Sequence, residues 1–221
     1  MSGDNYGKSW NAGKFKDEII PMSLPQGEGK PPKVLNIDEQ YRPGTTIETL
    51  AKLKTVYNTR AITAGNAPGL NDGATAILVM SQEKAKQLGL EVLATVVAQV
   101  SIAINASRMP EGPGFAMQQV LKKANMKITD MAVMEINEAF ACVPLVSMRV
   151  FSGKDKQLLQ SLKDRMNING SAIAIGHPNT ASGSRLIMNL MYELRRRGGG
   201  YAMGAICGGL AQADATIIKV G

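Results

Sequence analysis

Three short stretches of this sequence carry side chains able to move protons or acyl groups: Asn137-Glu138-Ala139-Phe140, Gly176-His177-Pro178 and Cys207-Gly208-Gly209. A histidine with an ordinary pKa of about 6.5 can serve as a base near neutrality. A thiol of about 8.5 exchanges a proton once its surroundings lower it. Glycines beside them let backbone N–H groups approach a developing oxyanion closely. The chemistry of such a set is acyl or proton transfer at a carbonyl. Taken singly, each residue has a plainer explanation: Asn137 as a helix cap, Cys207 as a small inert hydrophobe, His177 as a pin for its loop. Taken together they read differently, because the only histidine and one of only two cysteines both sit beside glycines after apolar runs.

The elements that must position these residues follow from periodicity and turn chemistry. Residues 1–46 are polar and rich in Gly, Pro and Lys, which predicts irregular structure with at most short strands. Thr46 opens a short helix with apolar residues at Ile47, Leu50 and Leu53. Beyond the Gly65–Gly69 loop, the apolar run Ala74–Met80 reads as a buried strand. The pattern then alternates as in a layered α/β fold, with a helix over Ser81–Leu88 and a strand over Leu93–Ile104. A helix over Pro113–Ala124, a strand over Ala132–Ile136, a helix from Glu138 and a strand over Ser171–Ile175 follow. The chain closes with a helix over Gly183–Arg197 and a hairpin of Tyr201–Ile206 with Ala213–Val220. Polar residues at the ends of such strands are where active sites of α/β folds collect.

Composition narrows the class. The 221 residues, 44% hydrophobic and 19% charged, exclude a disordered, collagen-like or coiled-coil chain and allow a real core. Two cysteines and one histidine supply neither a disulfide framework nor a zinc site, so no metal is expected. The longest apolar stretch, Leu90–Ile104, is interrupted by Glu91, Gln99 and Ser101 and falls short of the roughly 20 residues of a membrane span; the chain reads as cytoplasmic. With 25 Lys+Arg against 18 Asp+Glu, the net charge of +7 suits an anionic partner, either nucleic acid or a phosphorylated small molecule, or serves solubility alone. Aromatics at 5% speak against stacking on single-stranded nucleic acid, so no nucleic-acid partner is expected.

The motifs resemble, in order and spacing, those of the thiolases. Asn137-Glu138-Ala139-Phe140, the run Asn167–Pro178 followed by Ala181–Arg185, Thr63–Asn66 with Asn71–Ala74, and Cys207–Gly209 correspond to four successive signatures, and the likeness extends from about Phe15 to the C-terminus. The resemblance implies the C-terminal half of a layered αβαβα thiolase fold. Residues 1–63 would be the tail of a loop domain, 64–90 a closing strand and helix of the N-terminal half, and 91–221 the C-terminal domain. It implies a Claisen condensation of coenzyme A thioesters, or its thiolytic reverse, as in fatty acid metabolism. His177 would activate a nucleophilic cysteine and, with a water held by Asn137, polarise the thioester oxygen. Cys207 would exchange the α-proton of acetyl-CoA, and the Gly209 N–H would face the oxyanion. Arg42, Ala64, Met109, Ala139 and Phe140 match coenzyme A contacts. The coenzyme is a substrate, and no covalently bound cofactor is implied.

The departures are as informative. A thiolase is nearly twice this length, and its N-terminal half carries the nucleophilic cysteine; Cys142 does not occupy that motif. Pro68, Ser171, Asn179-Thr180 and Leu210-Ala211 stand where serine or glycine is usual. The opening Met-Ser-Gly-Asp suits a gene start. The expectation is therefore a subunit of a split thiolase, whose partner chain supplies the N-terminal half, assembled into dimers or tetramers. A CoA-binding paralogue without catalysis, or a truncated fragment, is the competing reading.

Overall fold

The computed structural model describes residues 2–221. A four-stranded mixed sheet forms its centre, from β3 (Thr95–Ala103), β4 (Met131–Ile136), β5 (Gly200–Cys207) and β6 (Gln212–Val220), in the order β3-β6-β5-β4. β4 and β5 run parallel, which requires a crossover; β5 and β6 form the expected antiparallel hairpin, Gly200 opposite Val220 and Cys207 opposite Ala213. Alternation along the strands gives the sheet two apolar faces. Met134, Ile136, Met203, Ala205 and Ile217 face a core completed by Met117 and Val120 of α4 (Gly112–Ala124) and Val143 and Met148 of α5 (Cys142–Ser152). Val133, Ala202 and Ile218 face the other way, onto Leu190 and Leu194 of α8 (Ser182–Arg196). Helices thus cover both faces of the sheet, the layered α/β arrangement expected.

Several elements differ from expectation, each for a local reason. Residues 2–11 form a helix, α1 (Ser2–Asn11), within the stretch expected to be irregular. Its fully buried Tyr6 stacks on Trp10 and Phe15 and tilts against Tyr41, with ring centroids 5.1–6.4 Å apart across the cluster. The Tyr6 hydroxyl donates to Asp38 at 2.7 Å. Two three-residue strands, β1 (Met22–Leu24) and β2 (Lys33–Leu35), pair with each other beyond it. α2 (Ile47–Ala51) starts from Thr46, whose hydroxyl accepts from the Thr49 N–H in a reciprocal capping box.

No regular element spans Ala74–Met80: among the described residues no strand pairs with it, and Leu78 and Val79 are exposed. α3 (Gln82–Gln87) follows, capped by Ser81. The helix expected from Glu138 starts instead at Cys142. α6 (Lys156–Lys163), absent from the sequence reading, is capped by Asp155 and buries Leu162. Residues Ala172–Ile175, expected as a strand, make one helical turn, α7, because the Glu138 carboxylate accepts from the Ile173 N–H at 3.1 Å and so caps the turn's start.

A polar cluster fixes the N-terminal segment to α8. Lys14 Nζ donates to Asn169 and Glu193, Ser9 Oγ to Asn169, and Arg196 and Arg197 also grip Glu193. Burial works against the Glu193 charge, but donors from Arg197, Asn169 and Lys14 hold its carboxyl down at about 2. Glu18 nearby is the opposite case. Burial pushes it up to about 7, against Asn189 and Arg196, which favour its charged form. Between its ordinary 4.5 and 7 the native protein holds a proton that the unfolded chain has released, so stability is lost as pH rises through this window, by up to about 3 kcal/mol. Glu18→Gln keeps an acceptor for Asn189 and removes the charge. Urea titrations from pH 5 to 8 should show a shallower loss of stability for the variant than for the wild type; equal slopes would refute the assignment.

Candidate active site

The Asn137 side chain stands at the carboxyl end of β4. The backbone N–H of Asn137 donates to the Ala205 carbonyl at 3.0 Å, extending the parallel ladder one step past Ile136 and setting it beside the last residues of β5, where Cys207 ends the strand. The strand end is pinned from the other side by Asn167, whose amide accepts from the Ile136 N–H (2.8 Å) and donates to its carbonyl (2.9 Å). Asn167 itself has φ 51°, a conformation asparagine tolerates better than most residues.

His177 arrives from the other loop. Gly176 has φ 105°, open to glycine alone, and a Cβ there would meet the Asn71 side chain at 2.5 Å. The His177 N–H donates to the Gly69 carbonyl at 3.1 Å, so the 69–71 segment backs the histidine loop. The imidazole then bridges two partners: Nε2 lies 3.2 Å from Asn137 Nδ2, and Nδ1 lies 2.7 Å from Ser182 Oγ. Burial, and secondarily the Arg185 guanidinium, lower the His177 pKa, favouring the neutral base. Arg185 is itself engaged by the buried Glu135 at 2.5 Å, which also accepts from Ser171 Oγ.

Cys207 is half-buried and packs, with Ala139 and Phe140, against the core between the sheet and α4. Burial pushes its thiol up, a hydrogen bond with its own backbone opposes this, and Cys142 raises it further. Gly209 lies two residues on, exposed, with open space where a Cβ would be. The residues after it carry strain: Leu210 (φ 57°) and Ala211 (φ 63°) both occupy the left-handed region, and Leu210 is 93% exposed.

The structure thus joins His177 directly to Asn137 and sets Cys207 and Gly209 at the end of the neighbouring strand. Among the expected coenzyme contacts, Ala139 and Phe140 lie in the same loop as Asn137. Ala64 sits exposed in the turn of Thr63–Asn66, whose Asn66 carbonyl accepts from the Ala141 N–H at 2.9 Å. Met109 is half-buried in a 3-10 turn (Ala106–Glu111) that packs beside α5. Arg42 is exposed and makes no hydrogen bond with the four central residues. Among the described residues no group of three or more His, Cys, Asp or Glu could hold a metal ion, and no helix is long and apolar enough to cross a membrane.

Two neighbours had no role in the sequence reading. Ser182, five residues after His177, carries a hydroxyl at a helix start, where a cap is the ordinary explanation; Asn71 has a buried amide oxygen with no protein partner among the described residues. The signal for Ser182 was its spacing, which returns the chain by one turn to the histidine.

A histidine in the loop after α7, with a carboxamide and a thiol at adjacent strand ends, can withdraw a proton, bind a carbonyl oxygen and return a proton. Comparison with known proteins agrees with that chemistry. The thiolase C-terminal domain family matches residues 90–220, and the thiolase N-terminal domain family matches residues 1–83. An acetyl-CoA acetyltransferase of Thiocystis violacea is 41% identical over 209 residues, 94% of this chain and 51% of that protein. A beta-ketoadipyl-CoA thiolase of Acinetobacter baylyi is 41% identical over 208 residues, 94% and 50% respectively. The crystal structure of human mitochondrial 3-ketoacyl-CoA thiolase in complex with CoA superposes with a TM-score of 0.88 at 38% identity, covering all of this chain and 52% of that one. The chain spans about half the length of the relatives it matches.

Proposed function

The chain belongs to the thiolase family, and from that premise we propose that it is the C-terminal, proton-handling half of an acyltransferase acting on coenzyme A thioesters. The observation that carries the reading is the 3.2 Å contact between Asn137 and His177 at the end of β4, beside the strand that ends in Cys207. In this reading a second chain supplies the N-terminal half and its nucleophilic cysteine. His177 Nε2 takes the proton of that cysteine and becomes an imidazolium, the thiolate attacks the acyl-CoA carbonyl, and the tetrahedral intermediate expels coenzyme A as a thiolate that takes a proton from solvent. The second thioester then binds with its carbonyl oxygen toward the His177–Asn137 pair. Cys207, its thiol proton released to solvent, removes the α-proton as a thiolate, and the carbanion attacks the acyl-enzyme, whose oxyanion faces the Gly209 N–H; collapse frees a 3-ketoacyl-CoA and the partner's cysteine thiolate, which recovers its proton from His177. Donors fixed where negative charge develops, and a base near neutrality, are what an enolate-like transition state demands.

Ala64, Met109, Ala139 and Phe140 line the pantetheine path in this reading, and Arg42 takes the nucleotide end. The division into 1–63, 64–90 and 91–221, the cytoplasmic location and an assembly of two or more split units belong to the same proposal. One observation favours the competing reading of a CoA-binding paralogue without catalysis: Leu210 and Ala211 hold left-handed backbone directly beside Gly209, where the family usually has glycine.

Reconstitution tests the two. The purified chain should release no acetyl-CoA from acetoacetyl-CoA and coenzyme A, and thiolysis should appear when the N-terminal half is co-expressed with it. Turnover by the chain alone would overturn the split arrangement. Coenzyme A binding without activity in either preparation would establish the non-catalytic paralogue.

A further inference from the structure

His177 is held at both ring nitrogens, and the two contacts are not equivalent. Ser182 Oγ lies 2.7 Å from Nδ1 and 3.1 Å from the Pro178 carbonyl oxygen. A carbonyl oxygen only accepts, so in its contact with Pro178 the Ser182 hydroxyl is the donor, and with its proton placed there the hydroxyl oxygen accepts from Nδ1–H. At the other nitrogen, Asn137 presents Nδ2, a donor, to Nε2. A donor on that side requires a lone pair on Nε2. The Asn137 contact therefore selects the Nδ1–H tautomer, and the Ser182 contacts from α8 are both satisfied in that same tautomer.

We propose that Ser182 is a positioning residue: seated between His177 Nδ1 and the Pro178 carbonyl, its hydroxyl holds the imidazole in the Nδ1–H form and keeps Nε2 unprotonated toward Asn137. The backbone makes this geometry stiff. Ser182 is fully buried in the first turn of α8, and the Ala181 and Ser182 N–H groups donate to the same Pro178 carbonyl at 2.9 and 3.0 Å. The hydroxyl oxygen is thereby held in place against Nδ1. The same tautomer logic governs other catalytic histidines, whose ring orientation is set by the group bonded to the nitrogen not used in chemistry. The proposal deepens the acyl-transfer reading, which needs a base at Nε2, but its principal test requires no turnover.

Because the chain has a single histidine, its imidazole can be observed without assignment. The full chain, labelled with 15N in histidine and held above the His177 pKa, should give a two-bond proton–nitrogen spectrum of the Nδ1–H pattern. Ser182→Ala should shift it to the Nε2–H pattern or to an exchanging mixture, and Ser182→Thr should restore the wild-type pattern. A wild-type spectrum of the Nε2–H pattern overturns the proposal, with no variant needed; so does an unchanged spectrum in a folded Ser182→Ala chain. In the reconstituted enzyme, Ser182→Ala should lower kcat by about 100-fold with KM little changed, and Ser182→Thr should recover most of it. An Nδ1–H spectrum in a chain that supports no acyl transfer with any partner would sink the acyl-transfer reading and leave the assignment of Ser182 standing.

Discussion

His177→Ala, in the enzyme reconstituted with its N-terminal half, should slow both half-reactions by on the order of 10³- to 10⁴-fold, the largest loss any single substitution here should cause. The side chain serves two steps. Its Nε2 is the base for the nucleophile in acylation, and the same nitrogen, with Asn137, faces the thioester oxygen during condensation. Removing it also leaves Asn137 Nδ2 without its partner at 3.2 Å, so the carboxamide loses its orientation. The loop should survive, because it is fixed through main-chain atoms: the residue-177 N–H to Gly69, and Gly176 against Asn71. Acyl-enzyme formation read by intact mass, beside steady-state thiolysis, separates the two steps. Loss of one with the other intact would show that the histidine has only half the proposed role.

Cys207→Ala should divide the reaction. Acylation of the partner's cysteine should proceed at close to the wild-type rate, while deuterium exchange at the α-carbon of acetyl-CoA should fall by about 10³-fold, since only that step needs the second base. The resting state sharpens this expectation. Burial holds the Cys207 proton on, so the fraction of thiolate, and with it the wild-type exchange rate, should still climb at pH values above those at which an ordinary thiol has finished titrating. The alanine variant should show no such climb. Exchange at the wild-type rate in Cys207→Ala would remove the thiol from the mechanism. The substitution deletes one half-buried sulfur at a strand end already secured by the hairpin with β6, so the fold should tolerate it.

The site was more legible in the sequence than some of the elements around it, and the reasons are physical. Asn137, His177 and Cys207 stood out because polar or reactive side chains at the ends of apolar strands are costly unless used. Their meeting could not be read, because His177 reaches Asn137 across 40 residues and only the parallel pairing of β4 with β5 brings the strand ends together. Ala172–Ile175 misread as a strand because a four-residue apolar run looks the same in a buried turn; the deciding group, the Glu138 carboxylate at the Ile173 N–H, comes from another loop. α1 misread as irregular because Gly3 and Gly7 weaken its helical propensity, while its stability comes from aromatic rings at positions 15 and 41. The run Ala74–Met80 has the composition of a strand, but a strand exists only with a neighbour, and the described residues provide none there.

The attachment of α1 also sets a timetable for synthesis. Asn5 donates to the carbonyl of Asn167, Ser9 reaches Asn169, and Lys14 reaches Glu193, separations of 162, 160 and 179 residues. At a ribosomal rate of about 5–20 residues per second, the helix waits on the order of 10–30 s for its polar partners to be made. Tyr6, Trp10 and Phe15 can gather within that interval, being close in sequence, and Tyr41 can join them soon after. These rings would thus form a small aromatic knot while residues 167–193 are still to be made. The loop around Gly170 closes over Tyr6 only once that later stretch has itself been made.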